Sequence, residues 1–199
     1  MFRTALDQDL WLYYGITAYP EARANLLREH LAGLLDCPYA SIALARDNLG
    51  KPYLAAPDRP LWFNMASRDG VVVIATSQQG PVGVDVETLA QCRGGQGVAD
   101  QLFSKSEALW LAKQPEGACA LAFARLWTGK EAVLKALGQG ITQGLAEPVL
   151  APDPQGGPPW PPIIAKLRGS PYTVAWYSST VDEALIITAR AQAAAPHGA

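Results

Sequence analysis

Two stretches of helical apolar spacing, each set among short runs that read as strands, constrain this chain more than any other feature. In the first, Pro20 opens EARANLLREHLAGLL, where Leu26, Leu27, Leu31, Leu34 and Leu35 recur at helical intervals until Pro38 stops them. The second is predicted over residues 118–137, closed by Gly138 and Gly140. A shorter helix is predicted over 104–113, where Ser104 and Glu107 form a capping box. Runs at 11–15 and 41–45 read as strands, and those at 61–64, 71–76 and 82–87 as an antiparallel meander joined by turns. Two or three more strands are expected, over 163–167, 172–176 and 184–188. Residues 88–100 are Gly-rich and polar and read as a connector, while Pro and Gly forbid regular structure over 148–162. Each half is thus a helix with a few antiparallel strands. The expected fold is α+β, with an N-terminal lobe over 1–88, a C-terminal lobe over 89–190 and a flexible tail over 191–199.

The chain has 199 residues, enough for one large domain or two small lobes with a proper core. Sixteen Lys and Arg against 18 Asp and Glu give a net charge of -2, which argues against the basic footprint of a nucleic-acid binder. The three cysteines, Cys37, Cys92 and Cys119, make no CxxC pair and fit a reducing compartment better than a disulfide scaffold. The opening MFRTALDQDLWLYYG carries two acidic residues and no long apolar run, so no signal peptide is predicted. Nor does any apolar run approach the ~20 residues needed to span a bilayer. A cytoplasmic protein without membrane or nucleic-acid partners is expected.

Four constellations carry possible chemistry. In GVDVE, residues 83–87, Asp85 and Glu87 point to one side of a strand, about 7 Å apart, with valines on the other side. Two carboxylates so placed repel unless a cation or basic group sits there, and hard oxygens suit Mg²⁺; a solvent-facing acidic edge fits the pentapeptide equally well. In LWTGKEAVLKALG, residues 126–138, Leu126, Val133, Leu134 and Leu137 fall in one apolar arc, and Lys130 falls anomalously inside it. Lys130 either snorkels past the core or sits at a lobe interface where an anion waits. Glu131 and Lys135 lie off the arc at i and i+4, a pairing that on a plain helix surface contributes only ~0.3–0.5 kcal/mol. GKPYL at 50–54 and FNMASRDG at 63–70, where Arg68 is the lone cation, would each pass as a turn.

Taken in this order, the four pieces resemble the 4′-phosphopantetheinyl transferase superfamily, most closely its two-lobed, surfactin-synthetase-activating type. The family's GKP, FNxSHSG, G(I/V)D(I/V)E, FxxxE and WxxKEAxxK patterns are met by Gly50-Lys51-Pro52, Phe63-Asn64, GVDVE, Phe103 with Glu107, and Trp127 to Ala132 with Lys135. The resemblance implies two pseudo-two-fold lobes, each an antiparallel sheet packed with a long helix, and an active site in the cleft between them. It implies a monomeric enzyme that moves the phosphopantetheine arm of coenzyme A onto a serine of an apo acyl or peptidyl carrier protein, using Mg²⁺ and releasing 3′,5′-ADP. Asp85, Glu87 and Glu131 would bind the metal, Glu131 would also help deprotonate the serine, and Lys135 would stabilise or protonate the departing 3′,5′-ADP. Lys51 and Lys130 would contact phosphates or the pantetheine arm. Phosphoryl transfer needs neutralised phosphate oxygens and a nucleophile held in line, and a metal flanked by lysines supplies both.

The family's Ser-His-Ser is absent. Counting back from GVDVE puts Arg68 in the place of its histidine, with Ser67 before it; counting forward from Phe63-Asn64 puts Ser67 there. That histidine contacts the 3′-phosphate of coenzyme A, and Arg68 is expected to do so as a permanent, bidentate cation. The family's nucleotide-binding arginine on the first helix is assigned to Arg23, with Arg28 close by. The segment before that helix is short for the family. A non-catalytic relative that binds coenzyme A or a carrier, and an unrelated Mg²⁺-dependent phosphohydrolase, stay open as other readings.

Overall fold

The computed structural model describes residues 2–15, 19–138, 144–150 and 159–193. The chain opens with a hairpin of β1 (Phe2–Asp7) and β2 (Leu10–Tyr14), then α1 (Pro20–Leu35) and a second hairpin of β3 (Ala43–Arg46) and β4 (Pro52–Ala56). Three strands follow, β5 (Trp62–Arg68), β6 (Val71–Ser77) and β7 (Val82–Thr88), then three helices, α2 (Gln96–Leu102), α3 (Lys105–Ala112) and α4 (Glu116–Leu137). The last strands are β8 (Ile163–Leu167), β9 (Ser170–Val181) and β10 (Ala184–Ala193). Two four-stranded antiparallel sheets result, ordered β1-β2-β6-β5 and β7-β10-β9-β8.

β6 and β7 are buried along their whole length, so each is covered on both faces. On β6, Val72 and Ile74 join Trp11, Tyr13 and Phe63 beneath Leu26, Leu27 and Leu31 of α1. Its alternate residues Val71, Val73 and Ala75 form a shared core with Val82, Val84 and Val86 of β7 and Ile186 of β10. Beyond that layer, Ile187, Ala189 and Ala191 pack with Leu126, Val133 and Leu134 of α4. The order of layers is therefore α1, first sheet, second sheet, α4. Burying each of the valine, leucine and isoleucine side chains among them stabilises the fold by roughly 1.5–3 kcal/mol.

Helix α4 crosses β7 at Gly83. A Cβ there would lie 2.0 Å from the Ala132 carbonyl oxygen and 2.3 Å from the Ala136 backbone nitrogen, so hydrogen is the only side chain the crossing admits. The helix ends at Gly138, whose φ of 81° is left-handed, as the sequence predicts. The Ser104 capping box is present in both directions, and α1 and the strands at 163–167, 172–176 and 184–188 form where expected, the last two extended.

Several expectations need correction. The run at 82–87 does not continue a meander: β5 pairs with β6, while β7 pairs with β10 across a hundred residues of chain. Alternating valines mark β7 as buried without saying which strand it joins. Its link to β5 is a side chain, the Asn64 Oδ1 that accepts from the Val84 N–H at 2.9 Å. β1 was not predicted, because FRTALD is an exposed polar edge with no apolar alternation. β4 lies inside the stretch read as turns, and α2 inside the supposed connector. Gly140, residues 151–158 of the Pro- and Gly-rich stretch, and residues 194–199 of the predicted tail lie outside the described residues. Among the described residues no helix is long and apolar enough to cross a membrane.

Two predictions follow from this packing. Gly83→Ala is expected to destabilise the fold by ~3 kcal/mol or more, since backbone rather than a movable side chain meets the new methyl; urea unfolding checks it, and an unchanged midpoint contradicts it. The second concerns His30, buried between α1 and β2, with Nδ1 2.7 Å from the Tyr13 hydroxyl and its ring edge-on to Trp11. Burial, aided by Arg3, pushes its pKa down to about 4. The unfolded chain therefore takes up this proton first, and stability is lost as pH falls from about 6.5 towards 4, by at most ~1.4 kcal/mol per pH unit. His30→Gln is expected to flatten that slope, and an unaltered slope contradicts the assignment.

Candidate active site

The crossing at Gly83 decides what faces what. Asp85 and Glu87 follow Gly83 on the same face of β7, towards α4, and Glu131 lies on α4 beside Ala132. Each of these three acidic residues is only 6% exposed. Lys135, one turn after Glu131, donates to Asp85 Oδ1 at 2.5 Å and lies 4.0 Å from Glu131 Oε2. Arg68, at the end of β5, grips Glu87 with two hydrogen bonds, Nε to Oε2 at 2.6 Å and Nη2 to Oε1. Two oxygens, Asp85 Oδ2 and Glu131 Oε1, are buried without a hydrogen-bond partner.

A buried carboxylate oxygen with no partner is unfavourable, and the acid responds by holding its proton more tightly. Burial raises the pKa of Asp85, with Lys135 countering. Burial also raises Glu131 to about 7; Lys135 opposes this, and the neighbouring Asp85 and Glu87 add to it. A carboxyl group at the midpoint of its titration near neutral pH suits proton transfer. Orphaned hard oxygens on two adjacent acids also suit a divalent cation, so Asp85 and Glu131 fit Mg²⁺. Among the described residues no group of three or more His, Cys, Asp or Glu side chains is arranged to hold a metal. The sequence brings Asp85, Glu87, Glu131, Lys135 and Arg68 to one place, but Glu87 is already engaged.

The two other lysines are held by the protein's own groups. Lys51 Nζ donates to the carbonyls of Lys135 at 2.6 Å, Ala136 at 3.0 Å and Val82 at 3.3 Å. It therefore caps the C-terminal end of α4, where carbonyls lack helical partners and a cation is favoured. Its protons go to backbone rather than to an anion, and burial lowers its pKa to about 8. Lys130 is wholly buried. Its ammonium group lies 2.8 Å from Glu107 Oε2, donates to the Leu145 carbonyl at 2.9 Å and the Pro148 carbonyl at 2.5 Å, and sits over the Phe103 ring. It does not snorkel, and the contacts of its ammonium group are to the protein's own acid, carbonyls and ring. The sequence signal was its place in the apolar arc; its partner is Glu107, which the sequence marks as half of a cap and as the acid of the FxxxE match but not as a partner of Lys130. Glu107 also accepts from the Leu150 N–H at 2.8 Å, so the pair pins the segment after α4.

The nucleotide candidates do meet. Arg23 Nη1 donates to Ser67 Oγ at 2.6 Å, joining α1 to β5. Arg23, Arg28 and Arg46 line one cavity of about 340 Å³ with Pro20, Leu44 and Met65. Arg46 went unnoticed in the sequence because it stands on a short exposed strand with no motif around it.

Lys130→Met is expected to destabilise by roughly 3–5 kcal/mol, because it leaves the Glu107 carboxylate buried and unpaired. The double variant Lys130→Met/Glu107→Gln is expected to be more stable than the sum of the two single variants. Additive losses in a denaturation cycle contradict the pairing.

The family model of the 4′-phosphopantetheinyl transferase superfamily matches residues 81–190, which hold β7, α2 to α4 and β8 to β10. The chain is 33% identical over 116 residues to the 4′-phosphopantetheinyl transferase gsp of Aneurinibacillus migulanus, covering 58% of this chain and 46% of that protein. It is 38% identical over 95 residues to the 4′-phosphopantetheinyl transferase AcpT of Salmonella typhi, covering 47% and 48%. It is 29% identical over 124 residues to the 4′-phosphopantetheinyl transferase HetI of Nostoc sp., covering 61% and 52%. The chain thus spans about half the length of the curated relatives it matches. With more than half of its residues under the family match, and the β7–α4 carboxylates and Lys135 inside that span, the chain belongs to the 4′-phosphopantetheinyl transferase superfamily.

Proposed function

We propose that this protein transfers the 4′-phosphopantetheine arm of coenzyme A to a serine of an apo carrier protein, with Mg²⁺, releasing 3′,5′-ADP. The observation that carries this reading is the pair of buried, unpartnered oxygens on Asp85 and Glu131, bridged on one side by Lys135. Asp85 and Glu131 hold the cation; the sequence pattern adds Glu87. A hard divalent ion on these oxygens supplies charge neutralisation to the pyrophosphate of coenzyme A.

The chain's own groups do the rest. Glu131, at the start of the last turns of α4 and one turn before Lys135, accepts the proton of the carrier serine, directly or through a water. The serine oxygen forms the new bond to phosphorus, the bond from that phosphorus to the bridging oxygen of 3′,5′-ADP breaks, and Lys135 stabilises the charge left there. Arg68, with its side chain 42% exposed, and the Arg23–Ser67 pair beside Arg28 and Arg46 receive the nucleotide phosphates.

We read the site as a cleft between two pseudo-two-fold lobes, 1–88 and 89–190. Support comes from the helix-and-sheet make-up of each half, and from acids contributed by the last strand of one and the longest helix of the other. β7 belongs to the first half in sequence while its hydrogen bonds lie in the second sheet. Three free cysteines fit a cytoplasmic enzyme, which we take to act as a monomer without nucleic-acid or membrane partners.

Incubation with coenzyme A, Mg²⁺ and several apo carriers is expected to add the mass of one phosphopantetheine arm to a carrier. Coenzyme A binding without any mass gain would instead mark a non-catalytic relative. Asp85→Ala is expected to abolish transfer. Lys135→Ala is expected to lower kcat by roughly 10²-fold with little change in KM, as for lost transition-state stabilisation; wild-type kcat in that variant refutes its role.

A further inference from the structure

Asp85 and Glu87 stand two residues apart on one face of β7, yet the structure treats their carboxylates differently. Both oxygens of Glu87 are taken by one guanidinium group, through Arg68 Nε at 2.6 Å and through Nη2. Asp85 and Glu131 instead each keep an oxygen that is buried and unpartnered, on residues more than nine-tenths buried. Lys135 pairs with these two acids and not with Glu87. No three acidic, His or Cys side chains among the described residues are grouped for a metal. The acidic set is therefore a pair plus one.

The difference lies in Arg68, which counting back from GVDVE sets where the family has its histidine. A guanidinium group is permanently charged and forked, so it meets a carboxylate edge to edge in a bidentate pair that a histidine cannot make. That pair uses Nε and one proton of Nη2. Nη1 remains for a second anion, on a side chain that is 42% exposed. The fork also fixes the guanidinium plane, which a single hydrogen bond would leave free to turn.

We propose that Glu87 is a positioning residue, which orients Arg68 toward the 3′-phosphate of coenzyme A, while Asp85 and Glu131 alone supply the protein's carboxylates to the divalent cation. The inference rests on the function proposed above and narrows it. It assigns Glu87 to the nucleotide end of the substrate and leaves the cation with two protein acids and room for substrate or solvent oxygens.

The test measures two ligands separately. Mn²⁺ alone, followed by the loss of its free electron-paramagnetic signal, reports the cation seat. Coenzyme A and 3′-dephospho-coenzyme A, titrated calorimetrically with EDTA present, report the nucleotide contact. Asp85→Asn and Glu131→Gln are expected to weaken Mn²⁺ binding by about 10-fold or more, and Glu87→Gln by less than about 3-fold. In EDTA, Glu87→Gln and Arg68→Lys are each expected to weaken coenzyme A binding by about 10-fold, without adding in the double variant, and to leave 3′-dephospho-coenzyme A unchanged. A purely structural role for Glu87 would weaken both nucleotides alike, and that result overturns the proposal. So does a loss of Mn²⁺ in Glu87→Gln equal to that in Asp85→Asn, although the transferase reading then survives. If Asp85→Asn and Glu131→Gln leave Mn²⁺ binding untouched, the cation reading itself falls. Should Glu87→Gln fail to fold, Arg68→Lys carries the same nucleotide comparison.

Discussion

The contact of α4 with β7 at Gly83 governs the rest of the molecule. Backbone meets backbone there, with no room for a β-carbon between the strand and the Ala132 and Ala136 segment of the helix. Residues one and two steps along each element are thereby set opposite one another: Asp85 and Glu87 on the strand, Glu131 and Lys135 on the helix. A longer separation would let water between the carboxylates and dissolve the pairings that make them unusual. Other devices hold the helix in that place. Lys51 caps its last carbonyls, Gly129 lets it lie against Trp176, and the Lys130–Glu107 pair ties its middle to α3 and to the segment at 145–150.

Charge is distributed around this crossing with some economy. Each buried acid near the site has a cation within reach, and one oxygen on each of Asp85 and Glu131 is left without a partner. Removing ionised groups from water is strongly unfavourable unless hydrogen bonds and opposite charges replace it, so such an arrangement persists for specificity more than for stability. Lys130 and Glu107 meet that need in full with backbone carbonyls and an N–H. Asp85 and Glu131 do not, and this contrast separates the architectural ion pair from the chemical one. On the same helix, neighbours in sequence thus take opposite roles: Lys130 supports the structure and Glu131 faces the chemistry.

Much of this was legible in the residues themselves. The leucine spacing of α1, the Ser104–Glu107 box and the Gly138 stop are local signals, and local geometry reproduces them. The period-two alternation of GVDVE put Asp85 and Glu87 on one side, and the helical register put Glu131 and Lys135 within a turn. What stayed hidden depends on distant partners. Nothing in VGVDVET says that it pairs with residues 186–192 rather than with its neighbour β6. Lys130 stands out in the sequence by its place in the apolar arc, yet only the fold reveals Glu107 beside it. Lys51 on its Gly-Pro turn passes as plain decoration, because the α4 carbonyls it caps lie more than eighty residues on. β1 and α2 escaped because one is an exposed polar edge and the other a seven-residue helix inside a Gly-rich, polar stretch.

The account turns on one shared pocket where the strand and the helix cross. A crystal soaked in Mn²⁺ and measured at the manganese edge tests it most directly. The account predicts an anomalous peak touching the carboxylates of Asp85 and Glu131 beside Lys135. A peak elsewhere on the protein, with those two side chains unmoved and still unpartnered, would contradict it.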